Sequence, residues 1–526
     1  MNNDAYLLPL AVAVPFMAGL VLLLGGHRLI PAFSKVLGWL GFLLPAVVAI
    51  YMWDFYFAED AGVSGYKFYS TYETGLGAFG IHLAFGLNGI SMPLFALAGL
   101  VGLAAGIHAM NSNVERKEAY TGLLLFIVSG VMGVFCTTDI FYLYFFHEFA
   151  LIPTFILIGW WGRGTGARSA AMEMAIYLTL GAMLSLLGLI ALYRQGGSQS
   201  FDIPTLQMTL AHMTIADWRQ DRIFALLMFG FGILVSLWPF HSWAPDGYAA
   251  APTPAAMLHA GVLKKFGLYA LLQIAVPLLP EGMGYWSSTL AWLALGNVVI
   301  IGAVTIAQRD LKMMLGYSSV MHMGYIFLGI VCLNALGAGG AVLLMFAHGL
   351  SVAALFLLCD AVRERTGTHD MFAMGGLCQK APVLSGFFVA ATLAAAGLPG
   401  FANFWGEFSI FMALWRHSPL MSALAAFGII ISAIYGLRAA SRIFFGEPTT
   451  SFQPLFDGSV KDIQPHERWP AILLLGALMF VGFCPSSISS GINESLPVIY
   501  NPSMISTKTV QTIPAKKPEA IVSITR

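Results

Sequence analysis

Four ionisable side chains interrupt long apolar stretches of this sequence, and their chemistry indicates ion transfer. Glu148 lies in FYLYFFHEFALIPTFILIG, Lys264 and Lys265 stand side by side in AAMLHAGVLKKFGLYA, and Glu407 lies in ANFWGEF. An ionisable residue within a membrane segment costs at least ~2.5 kcal/mol on insertion scales, so such residues usually line an ion pathway. A buried carboxyl must be neutral or paired. We therefore expect these groups to exchange protons.

Two histidines stand alone in apolar segments that also contain Ser and Gly. His322 lies in LGYSSVMHMGYI and His348 in LLMFAHGLSVAALF. Histidine titrates near neutral pH, so either could relay a proton between the lysine and glutamate regions. The alternative for each is a helix-packing histidine that is hydrogen-bonded to backbone. His147, the neighbour of Glu148, is predicted to point about 100° away from it and to be an interfacial or core residue.

The two adjacent lysines cannot share one face of a helix. We therefore expect either Lys264 or Lys265 to turn toward the polar interior. The other would snorkel to the membrane surface or meet a carboxylate.

The lysine pair and Glu407 each follow a predicted break in an apolar helix. Pro239, Pro245 and Asp246 fall in the first break, and Leu398-Pro399-Gly400 makes the second. Irregular backbone at membrane depth is tolerated only where protein or a wet cavity satisfies it. Two interrupted helices indicate two structural repeats with ion sites at the membrane midplane. Glu407 has a second interpretation as a cap of the resumed half-helix, where the helix dipole favours a carboxylate.

The elements that must position these residues are apolar helices. The 526 residues are 58% hydrophobic and only 10% charged, with a mean hydropathy of +0.78. Soluble domains carry about 25% charged residues, so the composition excludes a water-soluble fold and predicts an all-α polytopic membrane protein. Spanning helices need about 20 apolar residues each, and runs of that length predict about 14 transmembrane helices.

Composition and the two breaks divide the chain into five segments. These are N-terminal transmembrane helices at 1–115, a first repeat at 116–280 with its break near 239–252, a second repeat at 281–447 with its break near 397–407, a C-terminal transmembrane helix at 448–500, and a flexible tail at 501–526. Lysine and arginine are concentrated on alternate connections, so the positive-inside rule places both termini on the outer side. The N-terminal apolar run has no basic residues before it and is predicted to be an uncleaved span.

The sequence contains no motif for a cofactor or a metal. The five cysteines (Cys136, Cys332, Cys359, Cys378 and Cys484) share no metal-ligand spacing, which favours small buried apolar residues. No iron–sulfur, flavin or dinucleotide motif appears, so we expect redox chemistry to lie on other polypeptides. The net charge of +0 does not indicate a nucleic-acid partner.

Several motifs resemble the antiporter-like subunits of respiratory complex I. They are PFHSWAPDGYAAAPTPAAMLHAGVLKKFGLY at 239–269, QRDLKMMLGYSSVMHMGYIFLGI at 308–330, MFAHGLSVAALFLLCD at 345–360 and FHEFALIPTFILIGWWG at 146–162. They occur in the family's order, and the similarity covers almost the whole chain. Gly406-Glu407-Phe408 is similar to the M-type (chain 4) branch, because the L-type, N-type and cation-antiporter relatives typically carry lysine at that glutamate.

The resemblance implies about 14 helices with two inverted repeats of five and a hydrated axis of charged residues. By position, Glu148 would be the carboxylate of the first half-channel, Lys265 the central lysine and Glu407 the terminal acid, with His322 and His348 connecting them. The implied activity is proton translocation coupled to quinone reduction elsewhere in an NADH–quinone oxidoreductase. Flavin, iron–sulfur clusters and quinone would belong to partner subunits. L-type and N-type subunits would be neighbours in a bacterial cytoplasmic or organellar membrane.

The chain departs from the family pattern at the first half-channel. Leu234 stands where the family places a lysine before the first break, and Glu173 stands where a lysine is common in the sixth helix. The family's P-D-A-H motif reads P-D-G-Y at 245–248. Without the lysine, Glu148 would stay protonated or find another cation. We hypothesise that Lys264 or a water network replaces it.

The sequence leaves three other functions open. The chain could be a subunit of a multisubunit cation/proton antiporter that needs no redox partner, or of a membrane-bound hydrogenase-type complex. It could also be a structural spacer that has lost pumping, which only the missing lysine at Leu234 supports.

Overall fold

Apolar helices make up most of the chain in the computed structural model, which describes residues 4–59, 65–197, 200–211, 213, 215–458 and 460–500. Within this described part, 11 helices are long and apolar enough to cross a membrane, or up to 12 if one bent pair counts as a span. A polytopic helical membrane protein is therefore confirmed. The predicted flexible tail at 501–526 lies outside the described residues.

The helices are numbered here in chain order. Up to the first break they are α1 (Leu7–Gly25), α2 (Pro31–Phe55), α3 (Ser91–Asn111), α4 (Lys117–Cys136), α5 (Ile140–Trp161), α6 (Ala167–Gln195), α7 (Ile203–Ala211) and α8 (Asp217–Val235). After it they are α9 (Trp243–Ala250), α10 (Thr253–Leu278), α11 (Pro280–Ala307), α12 (Leu311–Val331), α13 (Ala335–Thr366), α14 (Pro382–Ala395), α15 (Ala402–His417), α16 (Pro419–Phe444), α17 (Gln453–Asp457), α18 (Pro465–Phe483) and α19 (Ser486–Tyr500).

A two-stranded hairpin corrects the all-α prediction. β1 (Lys67–Tyr72) pairs antiparallel with β2 (Leu83–Leu87) between α2 and α3. β1 reads KFYSTY, and aromatic residues and threonine favour strands. Lys67 Nζ lies 3.4 Å from the carboxylate of Glu494 in α19. We call the side of the molecule that carries the hairpin and α19 the hairpin face.

Helices α10, α12 and α13 form the centre of the bundle. Their apolar windows are 94%, 94% and 100% buried, whereas those of α1, α2, α6 and α16 are less than half buried. A side chain on the central helices therefore meets other protein atoms rather than lipid. The lysine pair lies on α10, His322 on α12 and His348 on α13, so this centre holds most of the predicted site.

The first break separates α8 from α9. Ser236 ends α8 in the left-handed region with φ +66°. Asn297, in a π-helical turn of α11, donates from Nδ2 to the Ser236 carbonyl (3.0 Å) and accepts from the Trp238 N–H (2.6 Å). Its amide thus satisfies the backbone that the break exposes. Pro245 and Asp246, which we expected in the break, lie in the first turn of α9, where proline is tolerated.

The second break separates α14 from α15 and is built from residues that cannot continue a helix. Gly397 and Gly400 have φ of +74° and +103°, and Pro399 between them has no N–H. The last carbonyl of α14, that of Ala395, lies 3.0 Å from His322 Nε2. A predicted relay histidine therefore also satisfies the end of the broken helix.

The C-terminal segment differs from the single helix predicted for 448–500. It contains α17, α18 and α19, and α19 turns away from α18 by 67°. Cys484 and Pro485 lie at this bend, and proline cannot supply the N–H that a continuous helix would need. The chain therefore changes direction after α18, and α19 packs against α13.

Candidate functional site

Lys265 is the most deeply buried ionisable side chain of the predicted site. It lies in a 3₁₀ turn at Leu263–Lys265 that interrupts α10, and its residue is 0% exposed. Its Nζ donates to the carbonyl of Ala260 (2.6 Å) and lies 3.0 Å from His348 Nδ1. An amine that donates to a ring nitrogen can pass its proton to that nitrogen. The Lys265 amine and the His348 ring are thus within hydrogen-bond distance of each other without any movement of the helices.

Lys264 is also buried, which corrects the expectation that one of the two lysines snorkels. Its amine lies 3.5 Å from Ser319 Oγ on α12 and 5.4 Å from the centre of the Tyr248 ring on α9. The tighter 3₁₀ turn and the central position of α10 direct the two adjacent amines to different neighbours, α12 for Lys264 and α13 for Lys265.

His348 is followed by His322 at the centre of the bundle. The two ring centroids are 5.4 Å apart. His322 Nδ1 lies 2.8 Å from the Ser318 carbonyl, and Nε2 lies 3.0 Å from the Ala395 carbonyl. Carbonyl oxygens only accept, so the doubly protonated ring can donate to both of them while the neutral ring can donate to one. The His322 site can therefore hold an extra proton with both N–H groups hydrogen-bonded.

Glu407 completes this row of residues at the second break. It is 4% exposed, and its Oε1 lies 3.9 Å from His322 Nε2. A Cβ placed on Gly397 would lie within 2.3 Å of Glu407 Oε2, so the glycine leaves room for the carboxylate. α15 begins at Ala402 and has no acidic residue in its first turn. This position is too far along α15 for the capping role that we considered.

Glu148 lies apart from this row. Its Oε1 is 3.2 Å from His147 Nδ1, and its side chain is 32% exposed on α5. This contact corrects the prediction that His147 faces away, although its ring also stacks on Phe266 with centroids 3.9 Å apart. Among the described residues no hydrogen bond or ion pair joins Glu148 to Lys264 or Lys265. The hypothesis that Lys264 replaces the missing lysine therefore has no direct contact to support it.

Leu234 and Glu173, the two positions where the family commonly has lysine, lie in different environments. Leu234 is buried near the end of α8 with 3% exposure. Glu173 accepts a hydrogen bond of 2.7 Å from Ser242 in the first break. The carboxylate on α6 thus holds the irregular backbone between α8 and α9, a structural role that the sequence pattern did not predict.

A buried ion pair lies at the face opposite the hairpin, and the sequence pattern did not predict it. Asp360 is 2% exposed, contacts the Arg163 guanidinium and lies 3.3 Å from His108 Nε2. The sequence alone is compatible with an interfacial Asp360, because this residue lies near the end of an apolar run. Arg163, two residues after the aromatic end of α5, was the available signal for a partner.

His259 and Tyr248 were also missed. His259 Nδ1 lies 3.3 Å from the Tyr248 hydroxyl, and both residues are buried beside the lysine turn. His259 precedes Lys264 by five residues in the motif LHAGVLKK. A histidine at that spacing before a buried lysine was the signal that could have identified it.

The described residues include one group with metal-ligand chemistry. Ligand atoms of Glu364, His466 and Glu467 lie within 4.8 Å of one another. The two Glu467 oxygens already accept from Arg365 at 2.8 and 2.7 Å, which leaves this carboxylate occupied by a guanidinium. All five cysteines are free.

Comparisons of sequence identify related proteins. The family described as "NADH:quinone oxidoreductase/Mrp antiporter, TM" matches residues 137–432. A Pseudomonas aeruginosa protein named NADH-quinone oxidoreductase subunit M is 31% identical over 478 residues. The alignment covers 87% of this chain and 91% of that protein.

Comparisons of structure identify the same group of proteins. A chain of respiratory complex I from Thermus thermophilus with bound NADH superposes with a TM-score of 0.82 at 28% identity, covering 94% of this chain and 98% of that one. A chain of the Mrp complex from Dietzia sp. DQ12-45-1b superposes with a TM-score of 0.80 at 20% identity, covering 96% and 98%. At 20% identity, the match to the Mrp complex chain supports a shared fold but not a shared function.

Proposed function

Since the chain belongs to the NADH:quinone oxidoreductase/Mrp antiporter transmembrane family, as an M-type subunit of NADH-quinone oxidoreductase, we propose that it translocates protons within a membrane arm. Quinone reduction would take place elsewhere in the complex and drive this transfer. Flavin, iron–sulfur clusters and quinone would be held by partner subunits, and L-type and N-type subunits would adjoin this chain.

One observation carries the proposal: four buried ionisable side chains follow one another from the centre of α10 to the second break. Lys265 Nζ is 3.0 Å from His348 Nδ1, the rings of His348 and His322 are 5.4 Å apart, and His322 Nε2 is 3.9 Å from Glu407 Oε1. Buried groups that change charge are costly to maintain, so such a row is typical of proton relays. We call these four residues the central row.

A proton would move along the central row by exchange between neighbours. Lys265 would give its proton to His348, because its amine lies 3.0 Å from Nδ1 of that ring. A single bridging water or a ring rotation would connect His348 with His322. His322 would then protonate Glu407, which lies beside the irregular backbone at 396–401. Glu148, paired with His147 on an outer helix, would be the group that exchanges protons or charge with a neighbouring subunit.

We also propose 14 spans, two inverted repeats and an outer location for both termini. Counting α8 with α9, α14 with α15, and α18 each as one span adds three to the 11 long helices. Reporter fusions after Arg363 should read cytoplasmic and fusions after Asn501 should read external, because lysine and arginine are concentrated on alternate connections. A cytoplasmic reading for the C-terminal fusion would overturn the orientation.

The experiment is the substitution Glu407→Gln in the whole complex, reconstituted into vesicles. The amide keeps the size of the side chain but cannot exchange a proton, so proton pumping per electron should fall while membrane-arm assembly is retained. Glu364→Gln, a change of an exposed acid on α13 outside the central row, is the matched control. Unchanged pumping in assembled Glu407→Gln complex would reject the proposal and favour a structural spacer.

A further inference from the structure

An apolar groove runs along the outside of the bundle between α1, α4 and α5. It has a volume of about 470 Å³, and its lining includes Arg116, Leu123, Ile152, Ile156 and Trp160. The hairpin contacts Thr137 at the end of α4, so the start of α4 and the end of α5 lie at the opposite face of the molecule. Arg116 and Trp160 therefore lie at that face, which we call the mouth of the groove. Among the described residues that line it, none belongs to the central row.

The groove extends through about half of a membrane and then ends. Its lining runs along α4 from Arg116 to Phe126, and along α5 from Trp160 back to Phe149. At 1.5 Å per residue these stretches are about 15–17 Å long, and one leaflet of the ~30 Å hydrocarbon core is about 15 Å deep. The rings of Phe126 and Phe149 close the inner end, with centroids 5.0 Å apart and each 5.5 Å from that of Phe16. This length fits the acyl chain of one leaflet, whereas a transmembrane helix of a partner would continue past the closed end.

Arg116 supplies a positive charge at the mouth that no acid of the chain neutralises. Its guanidinium lies 5.3 Å from the centre of the Trp160 ring, and none of the ion pairs among the described residues includes it. The neighbouring cation is already engaged, because Lys117 Nζ donates to the carbonyls of Met110 and Ser112 at 2.7 and 2.9 Å. A guanidinium can hold a phosphate through two parallel N–H···O hydrogen bonds. The mouth therefore fits an anionic group with phosphate chemistry.

The backbone at the mouth is held in place by α5. Trp161 Nε1 donates to the Glu115 carbonyl at 2.9 Å, and the Trp161 ring packs edge-on against Tyr120 with centroids 5.6 Å apart. Arg116 has φ +51°, a left-handed conformation that glycine or asparagine adopts more easily than arginine. Tryptophan at the end of a span is typical of the membrane–water interface. The Arg116 guanidinium is thus fixed at the level of lipid headgroups.

We propose that this groove binds one phospholipid with an anionic headgroup. An acyl chain lies along the groove between Leu123 and Ile156 and ends at the phenylalanine rings, while the headgroup phosphate accepts hydrogen bonds from Arg116. A net negative headgroup brings no cation of its own to compete with the guanidinium, which favours phosphatidylglycerol over zwitterionic phosphatidylcholine. Basic pockets between transmembrane helices bind anionic headgroups in this way. The proposal does not depend on proton transfer along the central row.

Photo-crosslinking in the whole complex tests the site. The complex is reconstituted into phosphatidylcholine vesicles that contain a small fraction of phosphatidylglycerol with a diazirine at the end of one acyl chain. We expect labelling of peptides that contain Phe126 or Phe149, because these residues close the inner end of the groove. Phosphatidylcholine that carries the same labelled chain should react at least threefold less with these peptides.

Two kinds of variant separate the headgroup site from the acyl-chain site. Arg116→Gln should lower labelling by phosphatidylglycerol at least threefold, and Arg116→Lys should retain part of it because the charge remains. Ala119→Phe places a ring in the groove and should lower labelling by both lipids. Arg168→Gln is the matched control, because Arg168 is exposed near the start of α6 at the same face but does not line the groove. It should be labelled like the unaltered complex.

Three results would overturn the proposal. Equal labelling by the two lipids in the unaltered complex would show that the headgroup is not recognised. Unchanged labelling by phosphatidylglycerol in Arg116→Gln would show that Arg116 does not hold the phosphate. Absence of labelling at the peptides with Phe126 and Phe149 would show that a partner subunit, rather than a lipid, fills the groove.

Discussion

Gly397 and Glu407 approach each other so closely that a side chain at position 397 would have to displace the carboxylate. A Cβ on Gly397 would lie 2.3 Å from Glu407 Oε2 and 3.2 Å from its carboxyl carbon. The break between α14 and α15 therefore does more than interrupt a helix. It provides the space in which the last acid of the central row meets His322, so the position of the break and the chemistry of the row depend on each other.

The first prediction follows from this contact. Gly397→Ala should reduce proton pumping per electron severalfold, because the methyl group must displace the Glu407 carboxylate from His322. Gly400→Ala is the control, because a Cβ there would meet only Phe483 Cζ at 3.8 Å. Both changes force a residue with a side chain to φ above +70°, at roughly 1–2 kcal/mol each. Equal pumping by the two variants would show that the contact between Gly397 and Glu407 does not affect pumping.

The second prediction concerns the partner of Glu148. His147→Gln should impair pumping, and the double variant His147→Gln/Glu148→Gln should be no worse than Glu148→Gln, because the two side chains are in contact at 3.2 Å. Lys264→Met combined with Glu148→Gln should give additive losses, since no contact joins these residues in the described part of the chain. Additivity in the first pair together with non-additivity in the second would restore Lys264 as the replacement for the missing lysine.

The third prediction concerns stability. Asp360→Asn leaves the Arg163 guanidinium without its buried counter-charge, and loss of one partner from a buried pair costs about 3–5 kcal/mol. The Arg163 side chain is 35% exposed, so we expect the low end of this range, a loss of roughly 3 kcal/mol in the free energy of unfolding. This loss would be measured as a lower thermal midpoint of the isolated subunit. Asp370→Asn breaks an exposed pair with Arg309 at 3.8 Å and should change stability by less than about 1 kcal/mol. Similar midpoints for the two variants would contradict this account.

The helical membrane fold and the members of the central row were accessible from the sequence. A charged or polar residue stands out in an apolar helix, because such residues are costly in a membrane and therefore rare there. Lys265, His348, His322 and Glu407 were selected on that basis, and the structure places them next to one another. Their role in proton transfer remains a prediction.

The contacts that depend on packing were not accessible. The burial of both lysines results from a 3₁₀ turn within α10, and no residue pattern at 263–265 distinguishes that turn from a regular helix. The hairpin was missed because its strands are short and stand among long helical runs. Gln273 was not singled out from the sequence, because only the π-helical turn at Leu271–Ala275 places it between Asn88 and Tyr66.

The most direct test of the central claim is the proton-to-electron ratio of the reconstituted complex carrying Lys265→Met. Methionine is close to lysine in length but has no proton to give His348, so the central row is interrupted at its first step. Lys67→Met is the control, because Lys67 is equally buried yet pairs with Glu494 at the hairpin face. We predict a reduced ratio for Lys265→Met and a normal ratio for Lys67→Met. A normal ratio in fully assembled Lys265→Met complex would contradict proton transfer through this subunit's central row.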